Sequence, residues 1–261
     1  MNNKQNNNIV FQEERLEKIL AMLEKEDRLV TKDLPKLLNT TTVTIRKDLA
    51  LLEQRGLLKR THGGAIKVKK LFKGQALNEK EKINLGQKRR IVKKAAQMIQ
   101  EGDTILLDSG STTSLIAKEI KGMKNITVIT NAINIANDLV DSELEVILVG
   151  GSLIKDTSTL VGPLADETLR KISCDKLFMG VDGVDFNVGL TTPNILEAHT
   201  SRVMMSIAGE VILVVDETKF GRRSLGVISK LKDIDKIITT KVLSPKELEE
   251  FSMAKVTVYM V

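Results

Sequence analysis

Apolar and polar positions alternate along the chain with two different periods, and the switch between them divides the sequence. From Glu13 to Glu24, Leu16, Ile19, Leu20 and Leu23 recur at helical spacing and predict a helix. Asp27-Arg28-Leu29-Val30 breaks the pattern, and Thr31 is placed to cap a short second helix, Lys32–Leu38, with Pro35 in or just beyond its first turn. Thr41 caps a third helix, about Thr42–Arg55, with Val43, Leu49 and Leu52 predicted to face inward and Gly56 placed to end it. Leu57 to Ala65 then reads as a strand running into a glycine turn at Gly63-Gly64. Two packed helices followed by such a strand and turn predict a winged helix-turn-helix over 13–67.

After a basic stretch, Lys67–Lys73, helical periodicity returns from about Glu79 to Glu101. Beyond Gly102 the pattern becomes repeated strand–helix units. Strands are predicted at Thr104–Leu107, Ile126–Thr130, Glu145–Val149, Leu177–Val181, Val211–Val215, Ile237–Thr239 and Val256–Met260. The intervening helices are Ser114–Ile120, Ala132–Leu139, Pro163–Ile172, Glu197–Ala208 and Pro245–Phe251. Such alternation implies an open α/β domain built on a mostly parallel sheet. The organisation read from the sequence is thus an unstructured N-terminus over 1–12, a winged helix over 13–67, a basic linker over 68–78 and an α/β domain over 79–261.

Charge sharpens this division. Residues 1–100 carry 23 Lys and Arg against 11 Asp and Glu, a balance of +12, whereas residues 101–261 carry 17 against 23, a balance of −6. A basic module gains affinity for a polyanion by releasing condensed counterions. With aromatic residues at only 3% and no Trp, base stacking on single strands is disfavoured, which leaves duplex DNA as the better polyanion. No apolar run reaches the length of a membrane span and the polar start offers no signal-peptide core, so the expected location is the cytoplasm, with no membrane partner. Cys174 is the single cysteine, which excludes an intrachain disulfide, and it reads as a small buried apolar residue. Neither a metal nor a cofactor is expected.

The candidate DNA-reading residues are Thr31, Thr42, Thr44, Arg46 and Lys47, with Arg60, His62 and Gly63 on the wing. Thr44 suits a thymine methyl or a phosphate, Arg46 can fork onto guanine O6 and N7 or clamp a phosphate, and Lys47 suits phosphate. Asp48 would repel DNA and is expected to pair with a nearby Lys or Arg. In the second half, Asp108-Ser109-Gly110-Ser111-Thr112-Thr113 lies between a strand and a helix and can offer backbone N–H groups to an anion. It has no Gly-Lys-Ser/Thr, which disfavours nucleotide hydrolysis. Gly150-Gly151 also follows a strand, a weaker signal. Asp182, Asp185, Thr191, Glu197 and Lys219 collect at strand ends, where open α/β sheets bind ligands. The acids suit sugar hydroxyls, and Lys219 a phosphate or carboxylate.

The run Thr41-Thr42-Val43-Thr44-Ile45-Arg46-Lys47-Asp48-Leu49, then Leu52-Glu53, Gly56 and His62-Gly63-Gly64-Ala65, resembles the DeoR family of bacterial regulators. That family reads Ser-x-x-Thr-Ile-Arg-Arg-Asp-Leu before a His-Gly-Gly-Ala wing. Thr41 and Lys47 are conservative departures, and Pro35 is a less usual one. The second half is similar to the family's C-terminal effector domain through Gly180-Val181-Asp182-Gly183, Gly189 to Asn194, Glu197-Ala198 and Asp216 to Phe220. The resemblance implies a domain like ribose-5-phosphate isomerase and glucosamine-6-phosphate deaminase in fold. It implies a regulator, usually a repressor, of sugar catabolism genes that leaves double-stranded operator DNA when a phosphorylated sugar binds. It also implies a phosphate loop at Ser109–Thr113 and sugar-facing groups at Asp182, Glu197 and Lys219. The helix sequence looks nearest to the amino-sugar and galactitol/tagatose regulators.

Two rivals stand beside this reading. One is a sugar-phosphate isomerase with an appended DNA-binding domain. Against it, the lysine that isomerases carry shortly after the acidic pair is missing, since no lysine lies between Lys176 and Lys219. The other is a non-specific architectural DNA-binding protein. A paired operator would require a homodimer or homotetramer. Whether the regulator represses or activates stays open at this point.

Overall fold

The computed structural model describes residues 12–54, 58–67, 72 and 74–261. The chain groups into two compact units, residues 1–70 and 71–261. Of the N-terminus expected to be unstructured over 1–12, all but Gln12, which opens a helix, falls outside the described residues, as do Arg55 and Gly56, expected to close the third helix, and residues 68–71 and 73 of the linker expected over 68–78.

The first unit runs α1 (Gln12–Glu26), β1 (Arg28–Val30), α2 (Leu34–Leu37), α3 (Thr42–Gln54), β2 (Leu58–Thr61) and β3 (Gly64–Lys67). Leu16, Ile19 and Leu23 of α1 pack with Ile45, Leu49 and Leu52 of α3 in one core. The stretch that breaks helical periodicity, around Arg28–Val30, is a strand: β1 pairs antiparallel with β3, giving the order β1-β3-β2. This displaces the expected start of the second helix. Thr31 lies in the turn after β1 and its N–H donates to the Gly63 carbonyl at 2.9 Å, so Asp33, not Thr31, holds the N-cap position of a helix of only four residues. Val43 also departs from expectation. Ile45, Asp48, Leu49 and Leu52, at i, i+3, i+4 and i+7, form the buried face, and Val43, two residues before Ile45, lies off that stripe, 63% exposed. Gly64 is required by the β1–β3 contact, because a Cβ there would lie 1.8 Å from the Leu29 carbonyl oxygen.

The second unit begins with α4 (Leu77–Lys82) and α5 (Leu85–Ala96), followed by β4 (Thr104–Leu107), α6 (Ser111–Ile120), β5 (Thr127–Thr130), α7 (Ile133–Leu139) and β6 (Glu145–Leu148). Then come β7 (Ser152–Ile154), β8 (Thr159–Val161), α8 (Pro163–Leu169), β9 (Cys174–Met179), β10 (Gly183–Asp185) and β11 (Gly189–Thr192). It ends with α9 (Ile195–Ile207), β12 (Ala208–Val215), β13 (Gly226–Ser229), β14 (Lys236–Thr239), α10 (Pro245–Met253) and β15 (Thr257–Met260). Seven strands form one parallel sheet in the order β15-β14-β12-β9-β4-β5-β6. Its two faces carry separate apolar clusters, one with Leu106, Leu177 and Leu213, the other with Ile105, Phe178 and Ile212, as alternation along buried strands demands.

Three differences from the sequence reading matter for the site. The single helix expected over Glu79–Glu101 is two helices, broken at Asn84, whose φ of +55° is left-handed. The expected linker over 68–78 ends early, because buried Leu77 starts α4 and ties into the second unit. The hairpin β7–β8 and the antiparallel sheet β10-β11-β13 lie where the sequence predicts no strands.

Among the described residues no helix is long and apolar enough to cross a membrane, and no group of three or more His, Cys, Asp or Glu is placed to hold a metal ion. Cys174 is buried, and burial pushes its thiol up to about 12, in keeping with an inert core residue.

Candidate functional site

In the first unit α3 presents its outer face. The Thr41 hydroxyl accepts the Thr44 N–H at 3.2 Å, capping the helix as its sequence predicts. Thr42, Arg46 and Lys47 are exposed, and Thr44 is half-buried beneath the Thr41 hydroxyl. Asp48, on the inner face, receives the Arg15 guanidinium at 2.6 and 3.2 Å. The expected acid–base pair is therefore present, and it fixes α1 against α3. Arg60, His62 and Gly63 are exposed along and at the tip of the wing, and the Arg60 N–H donates to Glu53 Oε1 at 2.8 Å, linking the wing to α3. Thr31, brought beside the wing by its bond to Gly63, is there as backbone and not as a helix cap. A helix face of Thr42, Arg46 and Lys47 beside a basic wing suits major-groove entry with phosphate contacts alongside.

In the second unit the sheet order sets the position of a cleft. From β4 the chain moves outward through β5 and β6, then returns to the other side of β4 for β9, β12, β14 and β15. The crevice outside the C-terminal ends of β4 and β9 is a topological switch point, the usual ligand site of such sheets. Asp108 through Thr113 line it from β4 and α6, Asp182 from β9, and Asp216 and Lys219 from beyond β12, with Glu197 on α9.

Helix α6 begins at Ser111, three residues before the start read from the sequence, so Ser111, Thr112 and Thr113 occupy its first turn. No side chain caps it, and the first intrahelical bond there is from the Ser114 N–H to Gly110. The first-turn amides are therefore offered to the cleft at the positive end of the helix dipole. Thr113 and Ser114 donate their own hydroxyls to the Gly110 carbonyl, which fixes the turn.

Acids line the same cleft. Burial, reinforced by Glu197 and Asp182 nearby, raises Asp108 to about 7, while the Ser109 N–H partly offsets it. Burial also raises Glu197 against the Thr157 and Thr192 hydroxyls, which donate to it at 2.6 and 3.2 Å. Asp182 Oδ1 lies 2.7 Å from Lys80 Nζ and 3.5 Å from Lys219 Nζ. Burial lowers the Lys219 amine, with Asp182 working against that shift. Asn131, almost fully buried beside the cleft, donates through Nδ2 to the Leu160 carbonyl, and its Oδ1 is a buried acceptor with no hydrogen-bond partner among the described residues. An acceptor in that state costs about 1–3 kcal/mol.

Three sequence candidates are not cleft groups. Gly151 has a φ of +145°, and a Cβ there would lie 2.7 Å from the Val161 carbonyl, so its role is close packing under β8. Thr191 is fully buried, donating to the Gly183 carbonyl and accepting from the Ser224 N–H; strand alternation turns its neighbour Thr192 to the cleft instead. Burial alone would raise Asp185, but the Arg223 bonds at 2.7 and 2.9 Å and the Val188 and Asn187 amides hold it at about 2, in a structural pair. Lys80, Asn131 and Thr157 belong to the cleft and were not singled out from the sequence. Lys80 lies in the stretch whose sequence predicts only plain helix, from about Glu79 to Glu101, and Asn131 and Thr157 follow no motif.

Comparison with known proteins agrees with both halves. A family model for the DeoR-like helix-turn-helix domain matches residues 15–70, and one for the DeoR C-terminal sensor domain matches residues 83–241. The HTH-type transcriptional regulator GlpR of Haloferax volcanii is 37% identical over 245 residues, covering 94% of this chain and 96% of that one. The putative aga operon transcriptional repressor of Escherichia coli O157:H7 is 35% identical over 95% of this chain and 93% of its own. The lactose phosphotransferase system repressor of Lactococcus lactis subsp. lactis is 37% identical over 91% and 94%. These relatives are named as regulators or repressors, not as enzymes. A D-ribose-5-phosphate isomerase in complex with phospho-erythronic acid aligns over 51% of this chain at 19% identity and a TM-score of 0.39, a likeness too partial to bear on the site. With a DeoR-like helix-turn-helix domain in one unit and a DeoR C-terminal sensor domain in the other, the chain belongs to the DeoR family of DNA-binding transcriptional regulators.

Proposed function

We propose that the chain represses a sugar catabolism operon and leaves its operator when a phosphorylated sugar occupies the cleft at the Asp108–Thr113 loop. The observation that carries this is the cleft's division of labour. The first turn of α6 offers amide donors suited to a phosphate, and Asp182, Glu197 and the Asn131 carbonyl offer acceptors suited to hydroxyls. The name of one relative, a lactose phosphotransferase system repressor, supports the sugar class.

The switch is a population shift: the ester must bind the DNA-incompetent arrangement more tightly than the competent one. The chain acts as a homodimer or homotetramer, since one α3 reads only a few base pairs and paired half-sites lie about one helical turn apart. Binding of the full chain to its own promoter, titrated with amino-sugar, tagatose and pentose phosphates, tests the proposal. One ester should weaken binding at least tenfold; indifference to all of them sinks it. Light scattering of the same sample should give two or four chains.

A further inference from the structure

The wall of the cleft nearest the start of the second unit is built from the segment that follows the DNA-binding unit in sequence. Phe72 donates its N–H to the Arg223 carbonyl at 2.7 Å, and Leu77 donates to the Asp156 carbonyl at 2.9 Å. Between them, Gly74 at φ +87° passes so close to Pro193 that a Cβ would lie 2.8 Å from its ring. From α4, Lys80 reaches Asp182 at 2.7 Å. The C-terminal end of α4 is held by Lys88, almost fully buried, whose amine donates to the Lys80 carbonyl and to the Ile83 carbonyl at 2.6 Å.

Lys80 is thus the one cation of α4 that enters the cleft, and its present partner is an acid proposed to bind the ligand. Asp182 does not depend on it alone, because Lys219 also lies 3.5 Å away. An anionic ligand seated on α6 brings a second claimant for the Lys80 ammonium, and a charge-assisted contact to phosphate competes well with one to a carboxylate.

We infer that Lys80 is a ligand-contacting residue of the cleft, and that its transfer from Asp182 to the ligand's anionic group moves α4, the first helix after the DNA-binding unit. This rests on the proposed sugar-phosphate function and specifies how occupancy of the cleft is felt by the chain leading out of it. The ligand's differential affinity then lies partly in a contact made only when α4 has shifted, as a population shift requires.

The test uses the full chain with tagatose 6-phosphate, galactosamine 6-phosphate, ribose 5-phosphate and inorganic phosphate as probes. Calorimetry is run on the wild type, Lys80→Met and Lys80→Arg, and amide exchange of residues 77–83 is followed with and without the tightest probe. Retained thermal unfolding shows that each variant is folded, which the second lysine at Asp182 favours. The inference expects Lys80→Met to bind that probe about tenfold or more weakly, Lys80→Arg to recover most of the loss, and exchange over 77–83 to change on binding to the wild type and to Lys80→Arg but not to Lys80→Met. Equal binding by wild type and Lys80→Met, or exchange over 77–83 that ignores the probe, overturns this inference alone. A wild type that binds none of the four overturns the proposed function together with it.

Discussion

Asp48 lies on the buried face of α3, the helix proposed to read DNA, with the Arg15 guanidinium of α1 2.6 Å from its carboxylate. Asp48 is fully buried, and Gln12 adds a further bond at 3.3 Å. The acid therefore serves the register of α3 against α1 and keeps its charge away from the DNA-facing side. Removing one partner of a buried pair leaves the other desolvated and uncompensated, at a cost of about 3–5 kcal/mol. Asp48→Ala should lower the unfolding transition of the DNA-binding unit by that order and abolish operator binding, while ester binding by the second unit persists. Calorimetric unfolding together with ester titration measures both; an unaltered transition would remove the pair from the stability account.

On the opposite face, Arg46 is exposed and free of carboxylate partners among the described residues. Arg46→Ala should weaken operator binding by about 1–3 kcal/mol without changing ester affinity or unfolding. Fluorescence anisotropy on operator DNA at fixed salt reads this directly. Loss of ester binding as well would indicate a misfolded chain and not a lost base contact.

Asp108 gives a pH dependence with a definite sign. Burial raises it from 3.8 to about 7, so the folded chain holds a proton there that the unfolded chain releases from about pH 4 upward. Its contribution to stability is therefore greatest below about 4 and declines as pH rises through 7. An anionic ester favours the protonated form and should bind less well above 7 than below it. A phosphate monoester itself titrates near pH 6, so the variant decides the cause. Asp108→Asn should flatten the change in ester affinity between pH 6 and 8; an undiminished slope would place its origin elsewhere.

The first turn of α6 makes a separate prediction. Thr112→Glu puts a carboxylate at the helix end proposed to receive the phosphate. Ester binding should fall by tenfold or more and the chain should stay on its operator whatever ester is added. Wild-type ester affinity in this variant would move the phosphate away from α6.

Much of this was legible in the chain. The β4 limits, Thr104–Leu107, follow from a short apolar run bounded by turns, and the alternation of such runs with helices gave the parallel sheet. Asp48 stood out because an acid inside a DNA-facing run needs a partner. What escaped had physical reasons. Val43 fits an apolar list, but the helical face is decided by Ile45, Leu49 and Leu52. Arg28–Val30 is too short for a periodic signal, and its strand exists only because β3 is there to pair with it. Thr191 and Thr192 are indistinguishable in sequence, and only the pairing of β11 decides which faces the cleft. Lys80 is one basic residue among many until α4 brings it to Asp182.

In the proposed switch, occupancy of one cleft decides whether α3 holds DNA. The most direct measurement is operator affinity of the wild-type chain and of Thr112→Glu, each with and without the ester that binds the wild type most tightly. Adding ester to the wild type should cost at least tenfold in operator affinity, with no loss in Thr112→Glu. Operator affinity that stays the same while calorimetry shows the wild-type cleft filled would contradict the proposed switch.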